Sequence, residues 1–268
     1  MSKQKVAIIG AGSLGKTIAR EIPNHVGEHF EVVGLMKHSE KDIKELEDEF
    51  QIPVVTAFDD LLNLRPDFIV EAATVDVVKE HGKNILSRGI HFIPLSVGGL
   101  VEESFYDDLR ETAKENGAVL YIPSGAIGGF DIMRKMALAD TPEVTFTSNK
   151  PTRTLKKAPL LKDRDVSETE KEVVFEGTAA EAIKGFPTQI NVAVAASLAT
   201  VGPKNTKTII TSNPDLDVNT HEIELENNVA SVYLRFSGQP SENPSSSEVT
   251  AWSVISLLQN ISAPVRFF

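Results

Sequence analysis

The 268-residue sequence has no cysteine, which excludes disulfides, thiolate nucleophiles and cysteine-ligated metals. It also has no uninterrupted apolar run of about 18 residues, the length a membrane-spanning helix requires. Its first residues, MSKQKVAIIGAG, carry a short apolar strand into glycines rather than to a cleavage site. The expectation is a soluble cytoplasmic protein, neither secreted nor membrane-embedded. Positive charge is in deficit: 27 Lys and Arg stand against 38 Asp and Glu, a formal net charge of -11. That balance opposes non-specific nucleic-acid binding, and no dense Lys/Arg stripe with interleaved aromatics offsets it. No His/Asp/Glu cluster has metal-ligand spacing, so no metal is expected. Internal repeats and strongly biased segments are absent as well.

What is present is a regular alternation. KVAIIG is an apolar, β-rich run, and SLGKTIAREI then places Leu14, Ile18, Ala19 and Ile22 at helical spacing. The pattern continues through EVVGLM (31–36), a polar helical stretch near 40–50, VVTA (54–57), FIVEAA (68–73), a helix over 75–88, HFIPLS (91–96), a helix near 102–116 and AVLYIP (118–123). Near-continuous apolar strands separated by helices predict an α/β domain over residues 1–124, a Rossmann-type doubly wound parallel sheet covered on both faces. From residue 125 the character changes. A helical pattern at 130–139, EVTFTS, a charged region at 150–172, an alanine-rich helix, and the alternating segments TKTIITS, THEIELE and VASVYLRFSG predict an α+β domain over 125–268 with a mostly antiparallel sheet. A closing helix at 245–260 is placed to pack back on the first domain. The exposed-looking strands of the second domain are suited to extending a sheet across a homodimer.

GAGSLG, Gly10 to Gly15, matches G-x-G-x-x-G where a strand gives way to a helix. Gly10 permits the tight turn, Gly12 lets backbone approach a pyrophosphate, and Gly15 lets helix and strand pack closely. Ser13 and Leu14 contribute backbone N–H groups at the helix start. The alternative is a glycine turn without ligand. The second strand ends Met36, Lys37, His38, Ser39, with no carboxylate before Glu40. An acid there would hydrogen-bond the ribose 2′-hydroxyl of NAD, whereas Lys37 and His38 suit a 2′-phosphate or are a solvated loop. NADP is expected to serve at least as well as NAD.

In the second domain, IPSGAIGGFD (122–131) follows the last strand of the first, either as a nicotinamide-side turn or as a hinge. Asn191 opens the alanine-rich helix, where it can meet a carboxamide or cap the helix. His221 lies in SNPDLDVNTHEIELE; a histidine there can handle a proton or fill a structural place. Asp215, Asp217 and Asn219 are candidates to orient it. Lys150, Arg153, Lys156, Lys157 and Arg164 are candidate anion ligands, and Asn243, Ser245 and Ser246 candidate neutral donors.

Taken in order, GAGSLG, IPSGAIGGFD, FPTQINVAVAASLA (186–199), DLDVNTHEIELE (215–226) and NPSSSEVTAWSVISLL (243–258) resemble the L-aspartate dehydrogenase family over essentially the whole chain. Gln189 and Phe130 depart from the commoner asparagine and leucine. The resemblance implies oxidation of L-aspartate by NAD or NADP to iminoaspartate, which hydrolyses to oxaloacetate and ammonia or enters pyridine-nucleotide synthesis. It places the active-site role on His221 and cofactor contacts on Ala126 and Asn191. Homoserine dehydrogenase and dihydrodipicolinate reductase share the layout without the central segments, and a non-catalytic dinucleotide sensor is the reading outside enzymes.

Overall fold

A computed structural model describes residues 2–156, 158–239 and 247–267. The chain forms two compact units: Met1–Gly99 with Glu103–Pro123 and Thr250–Phe268, and Leu100–Glu102 with Ser124–Val249. Residues 250–268 are thus counted with the first unit, not with the rest of 125–268.

The first unit holds β1 (Gln4–Ile9), α1 (Ser13–His25), β2 (Phe30–Met36), α2 (Ile43–Phe50), β3 (Val54–Val55), α3 (Phe58–Asn63), β4 (Phe68–Glu71), α4 (Val75–Ser87), β5 (His91–Pro94) and α5 (Glu103–Glu115). The five strands lie in the order β3-β2-β1-β4-β5, and every pairing is parallel. Val6, Ala7, Ile8 and Ile9 of β1 are all buried, because a central parallel strand is covered on both faces and leaves no position for a polar residue. Successive strands are added to one side of β1 as far as β3 and to its other side from β4, which makes the carboxyl ends of β1 and β4 the place for a ligand. The last helix contributes Ala251, Val254, Ile255 and Leu258 to the same core as Val6, Ile8, Phe30 and Phe68. Their three- and four-residue spacing is one helical face. AVLYIP, expected as a strand, is reduced to a single bridge from Phe92 to Leu120. The Val119 N–H donates to His91 Nδ1 rather than to a strand, and the Val119 side chain is exposed.

The second unit contains α6 (Phe130–Ala139), β6 (Glu143–Pro151), α7 (Thr152–Leu155), β7 (Glu172–Thr178), α8 (Ala179–Gly185), α9 (Asn191–Leu198), β8 (Lys207–Asn213), β9 (Asn219–Glu226) and β10 (Ser231–Gly238), with α10 (Val249–Ser262) following. Its sheet runs β10-β9-β6-β8-β7. Only the β6–β8 pair is parallel, so the sheet is mixed and mostly antiparallel. The closing helix begins at Val249 rather than near 245. β7 and α8 were hidden at the end of the charged stretch. A bulge between Val173 and Phe175 breaks the alternation of β7, and Val173 points to solvent. The start of α8 is a capping box in which Thr178 Oγ1 accepts from the Glu181 N–H and Glu181 Oε2 accepts from the Thr178 N–H.

Candidate active site

In the first unit, the glycine turn joins β1 to α1. Gly10 sits at φ +112°, and a Cβ there would lie 2.4 Å from the Ala72 carbonyl oxygen. At Gly15 a Cβ would lie 1.8 Å from the Gly10 carbonyl oxygen, so the first turn of the helix rests directly on the strand exit. Gly12 is different: nothing lies within 4 Å of its Cβ position. It is the N-cap of α1, with no side-chain cap and no acidic residue in the first turn. The N–H groups of Ser13, Leu14 and Gly15 therefore open a helix whose positive end is uncompensated. Leu14 itself turns its side chain into the core. A backbone-lined space in front of free helix N–H groups fits a dinucleotide pyrophosphate.

The end of β2 is tied to this turn, because the Gly10 N–H donates to the Met36 carbonyl. Lys37 and His38 follow at once; His38 is exposed, and the Lys37 ammonium donates back to the Lys41 carbonyl. On the other side stands Glu71, fully buried at the carboxyl end of β4. Its Oε1 accepts from the Ala73 N–H at 2.7 Å and the Ser96 hydroxyl at 2.9 Å, and its Oε2 from the Ser96 N–H at 2.9 Å. Glu71 thereby fixes both loops that leave β4 and β5 beside the glycine turn. Burial raises its pKa to about 7, against the opposing pull of these hydrogen bonds. Sequence reading passed over it, although a carboxylate ending the apolar run FIVE was the available signal.

Because the folded-state pKa is raised, the stability this group contributes is present below about pH 4.5 and is lost as pH rises through 7. Glu71→Gln removes that dependence. The unfolding free energy of the variant relative to wild type is expected to rise by about 3 kcal/mol between pH 4.5 and 8. Urea denaturation at the two pH values measures it, and a constant difference would contradict it.

In the second unit, His221 lies on β9, directly opposite Ser148 of β6 and Phe236 of β10. It is 5% exposed. Its Nδ1 is 3.1 Å from Ser148 Oγ, and its ring stacks on Phe146 at a centroid distance of 5.6 Å. Ser148 is the orienting residue. Asp215 and Asp217 are exposed, the first in a turn with Asn213 and the second giving its carbonyl to Arg153. Asn219 shares the His221 face, two residues along β9, but its Oδ1 is buried without a hydrogen-bond partner. Strand register brings Ser148 to His221, and register is not written in either segment alone.

Lys150, two residues beyond Ser148, shares the same face and is 4% exposed. Burial lowers its pKa to about 8. The His221 pKa is lowered to about 3, first by burial and then by the positive charge of Lys150. In its resting state this imidazole is uncharged. The remaining cations have other engagements: Arg153 donates to the Leu216 and Asp217 carbonyls, Lys156 pairs with Glu168, and Arg164 with Glu172. Lys157, Asn243, Ser245 and Ser246 lie outside the described residues.

The 125–129 segment packs on this face of the sheet. A Cβ at Gly128 would meet the Phe236 ring at 3.5 Å, and one at Gly129, with φ +78°, the Leu234 side chain at 2.8 Å. These glycines let the turn carrying Ala126 lie against the strand neighbouring His221. Asn191 is the first residue of α9, whose N-cap is Ile190, so the capping alternative does not hold. Of the other histidines, His81 is not on an exposed face but stacks on Phe58 at 4.0 Å, and His25 meets Trp252 edge-on at 5.1 Å. Among the described residues no group of three or more His, Cys, Asp or Glu is arranged to hold a metal, and no helix is long and apolar enough to cross a membrane.

Residues 10–123 match the family described as homoserine dehydrogenase, NAD binding domain, and residues 131–261 the family described as aspartate dehydrogenase, C-terminal. An L-aspartate dehydrogenase of Methanopyrus kandleri is 35% identical, with 99% of each chain covered. The chain belongs to the L-aspartate dehydrogenase family. The crystal structure of the aspartate dehydrogenase of Thermotoga maritima aligns over 100% of both chains with a TM-score of 0.77 at 27% identity. A hyperthermophilic archaeal homoserine dehydrogenase in complex with NADPH shares the fold, with a TM-score of 0.63 at 15% identity over 98% of this chain and 99% of the other. Within the aspartate dehydrogenase family, this chain pairs a glycine turn shaped for NAD(P) with a buried, uncharged histidine held by a serine.

Proposed function

We propose that this protein oxidises L-aspartate at its α-carbon with NAD(P), His221 handling the proton. The single observation that carries the reading is His221 itself, buried, uncharged and held by Ser148 on the face that also carries Lys150. The chain is an NAD(P)-dependent oxidoreductase of the aspartate dehydrogenase family, acting on a CH–NH2 group.

L-Aspartate arrives with its amine protonated, and the lone pair that must form the C=N bond is released only when a base takes one ammonium proton. NAD(P), when bound, supplies the hydride acceptor. In the tautomer whose Nδ1–H donates to Ser148 Oγ, His221 keeps the Nε2 lone pair for the substrate proton. Loss of hydride from the α-carbon and of a proton from nitrogen leaves iminoaspartate, which water converts to oxaloacetate and ammonia or which feeds pyridine-nucleotide synthesis. Gly10, Gly12, Ser13, Leu14 and Gly15 hold the pyrophosphate, Lys37 and His38 the adenosine ribose end, and Ala126 and Asn191 the nicotinamide end. Residues 1–124 are the dinucleotide-binding part and those from 125 to the closing helix the substrate part.

The test is spectrophotometric. Purified protein with a panel of amino acids should form NAD(P)H with L-aspartate and not with homoserine; silence with every amino acid would instead indicate a dinucleotide sensor. NADP should have a KM no higher than that of NAD, since no carboxylate stands between Met36 at the strand end and Glu40 to repel a 2′-phosphate, and a strong NAD preference would overturn that assignment. The second unit has β10 at the edge of its sheet, with Tyr233 55% exposed beside the Glu222–Arg235 pair. This supports a homodimer, which a monomeric mass in sedimentation would refute. A cytoplasmic location follows for an enzyme of soluble metabolites, and recovery with membranes on fractionation would count against it.

A further inference from the structure

We infer that Lys150 is the carboxylate-binding residue of the substrate subsite, and that a carboxylate captured there neutralises the positive charge that faces His221. The inference rests on the aspartate-oxidising reading and deepens it. Lys150 is 4% exposed, and no hydrogen bond or ion pair joins its ammonium to another described residue. A buried ammonium without a counter-charge is unfavourable unless an anion arrives to complete it. The surroundings are built for a polar ligand. Ser212 lies opposite Lys150 across the β6–β8 ladder, and its hydroxyl meets Thr152 Oγ1 at 2.7 Å. Asn219 brings a buried Oδ1 with no hydrogen-bond partner to the face that Lys150 and His221 share. A cation and an orphan acceptor suit an amino acid, the first meeting a carboxylate and the second an N–H group.

The consequence for His221 is electrostatic. Facing it are Ser148 and Phe146 from β6 and Phe236 from β10, and Lys150 is the charged group among the described residues that acts on it. With Lys150 unpaired, a second positive charge on the imidazole is repelled. A carboxylate on Lys150 cancels that repulsion, while burial, the larger cause of the lowered pKa, still keeps the imidazole uncharged. A ligand without a carboxylate leaves Lys150 buried and unpaired, which makes Lys150 a specificity residue as well as a ligand.

Two measurements decide the matter. In Lys150→Met, KM for L-aspartate should rise by about 30-fold or more while KM for NAD(P) stays within about twofold. Competitive inhibition by succinate should weaken to that by its neutral counterpart succinamide, whereas in wild type succinate is much the stronger. An unchanged KM, or a preserved succinate advantage, overturns the proposal. Should the variant fail to fold, wild-type protein labelled at histidine Cε1 answers the question at pH 6. Succinate should shift the His221 signal through the change of charge beside it, and neutral succinamide should not; an equal response to both, or none to either, refutes the proposal. Neither ligand titration needs turnover. Failure of wild type to oxidise aspartate would sink the functional reading while leaving the carboxylate subsite separately judged.

Discussion

His221→Ala is expected to lower kcat by about 10³-fold, with the dissociation constant for NAD(P)H within about twofold of wild type. The magnitude follows from the kind of contribution being removed. A positioned general base supplies about 10²- to 10⁴-fold, and His221 has no histidine beside it in its own unit: the other five, His25, His29, His38, His81 and His91, all belong to the first unit. Cofactor binding is spared because the glycine turn belongs to the first unit. Ser148→Ala should give a smaller loss, since the imidazole keeps its stacking on Phe146 and forfeits only the bond that selects its tautomer. Stopped-flow or steady-state kinetics with fluorescence titration of NAD(P)H checks both. Turnover within tenfold of wild type in His221→Ala would remove it from the proton-transfer role.

The second large effect separates two glycines of one motif. Gly15→Ala should destabilise the first unit by about 3 kcal/mol or more, because its Cβ would stand 1.8 Å from the Gly10 carbonyl oxygen and backbone cannot yield as a flexible side chain can. Gly12→Ala meets nothing within 4 Å and already has φ near -78°, so stability should change by no more than about 1 kcal/mol. The methyl would project into the space the pyrophosphate takes, and affinity for NAD(P)H should fall about tenfold or more. Thermal unfolding and cofactor titration of both variants give the contrast. Equal stability losses in the two would show that neither glycine is kept for the ligand.

Much of the first unit was legible in advance because parallel strands buried on both faces write themselves as continuous apolar runs, and Val6 to Ile9 are such a run. AVLYIP has the same composition yet pairs only at Leu120, since an imidazole nitrogen takes the Val119 N–H. In the second unit, β7 escaped because its bulge shifts the alternation in mid-strand. The site divides in the same way. His221 and the glycines could be named from local segments, whereas Ser148 could not. It stands 73 residues from its partner, and only the pairing of β6 with β9 puts them side by side.

By itself the sequence determined the class of fold, the strand-turn-helix that receives a dinucleotide, and the histidine to watch, since each depends on residues close together along the chain. Tertiary structure alone decided which groups surround that histidine. Burial takes away its charge, β6–β9 register gives it Ser148 rather than Asp215 or Asp217, and strand alternation sets Lys150 on its own face instead of among the paired surface cations. Desolvation and Coulomb interaction act through space. Residues distant in the chain therefore set the chemistry of a group that the local sequence could only nominate.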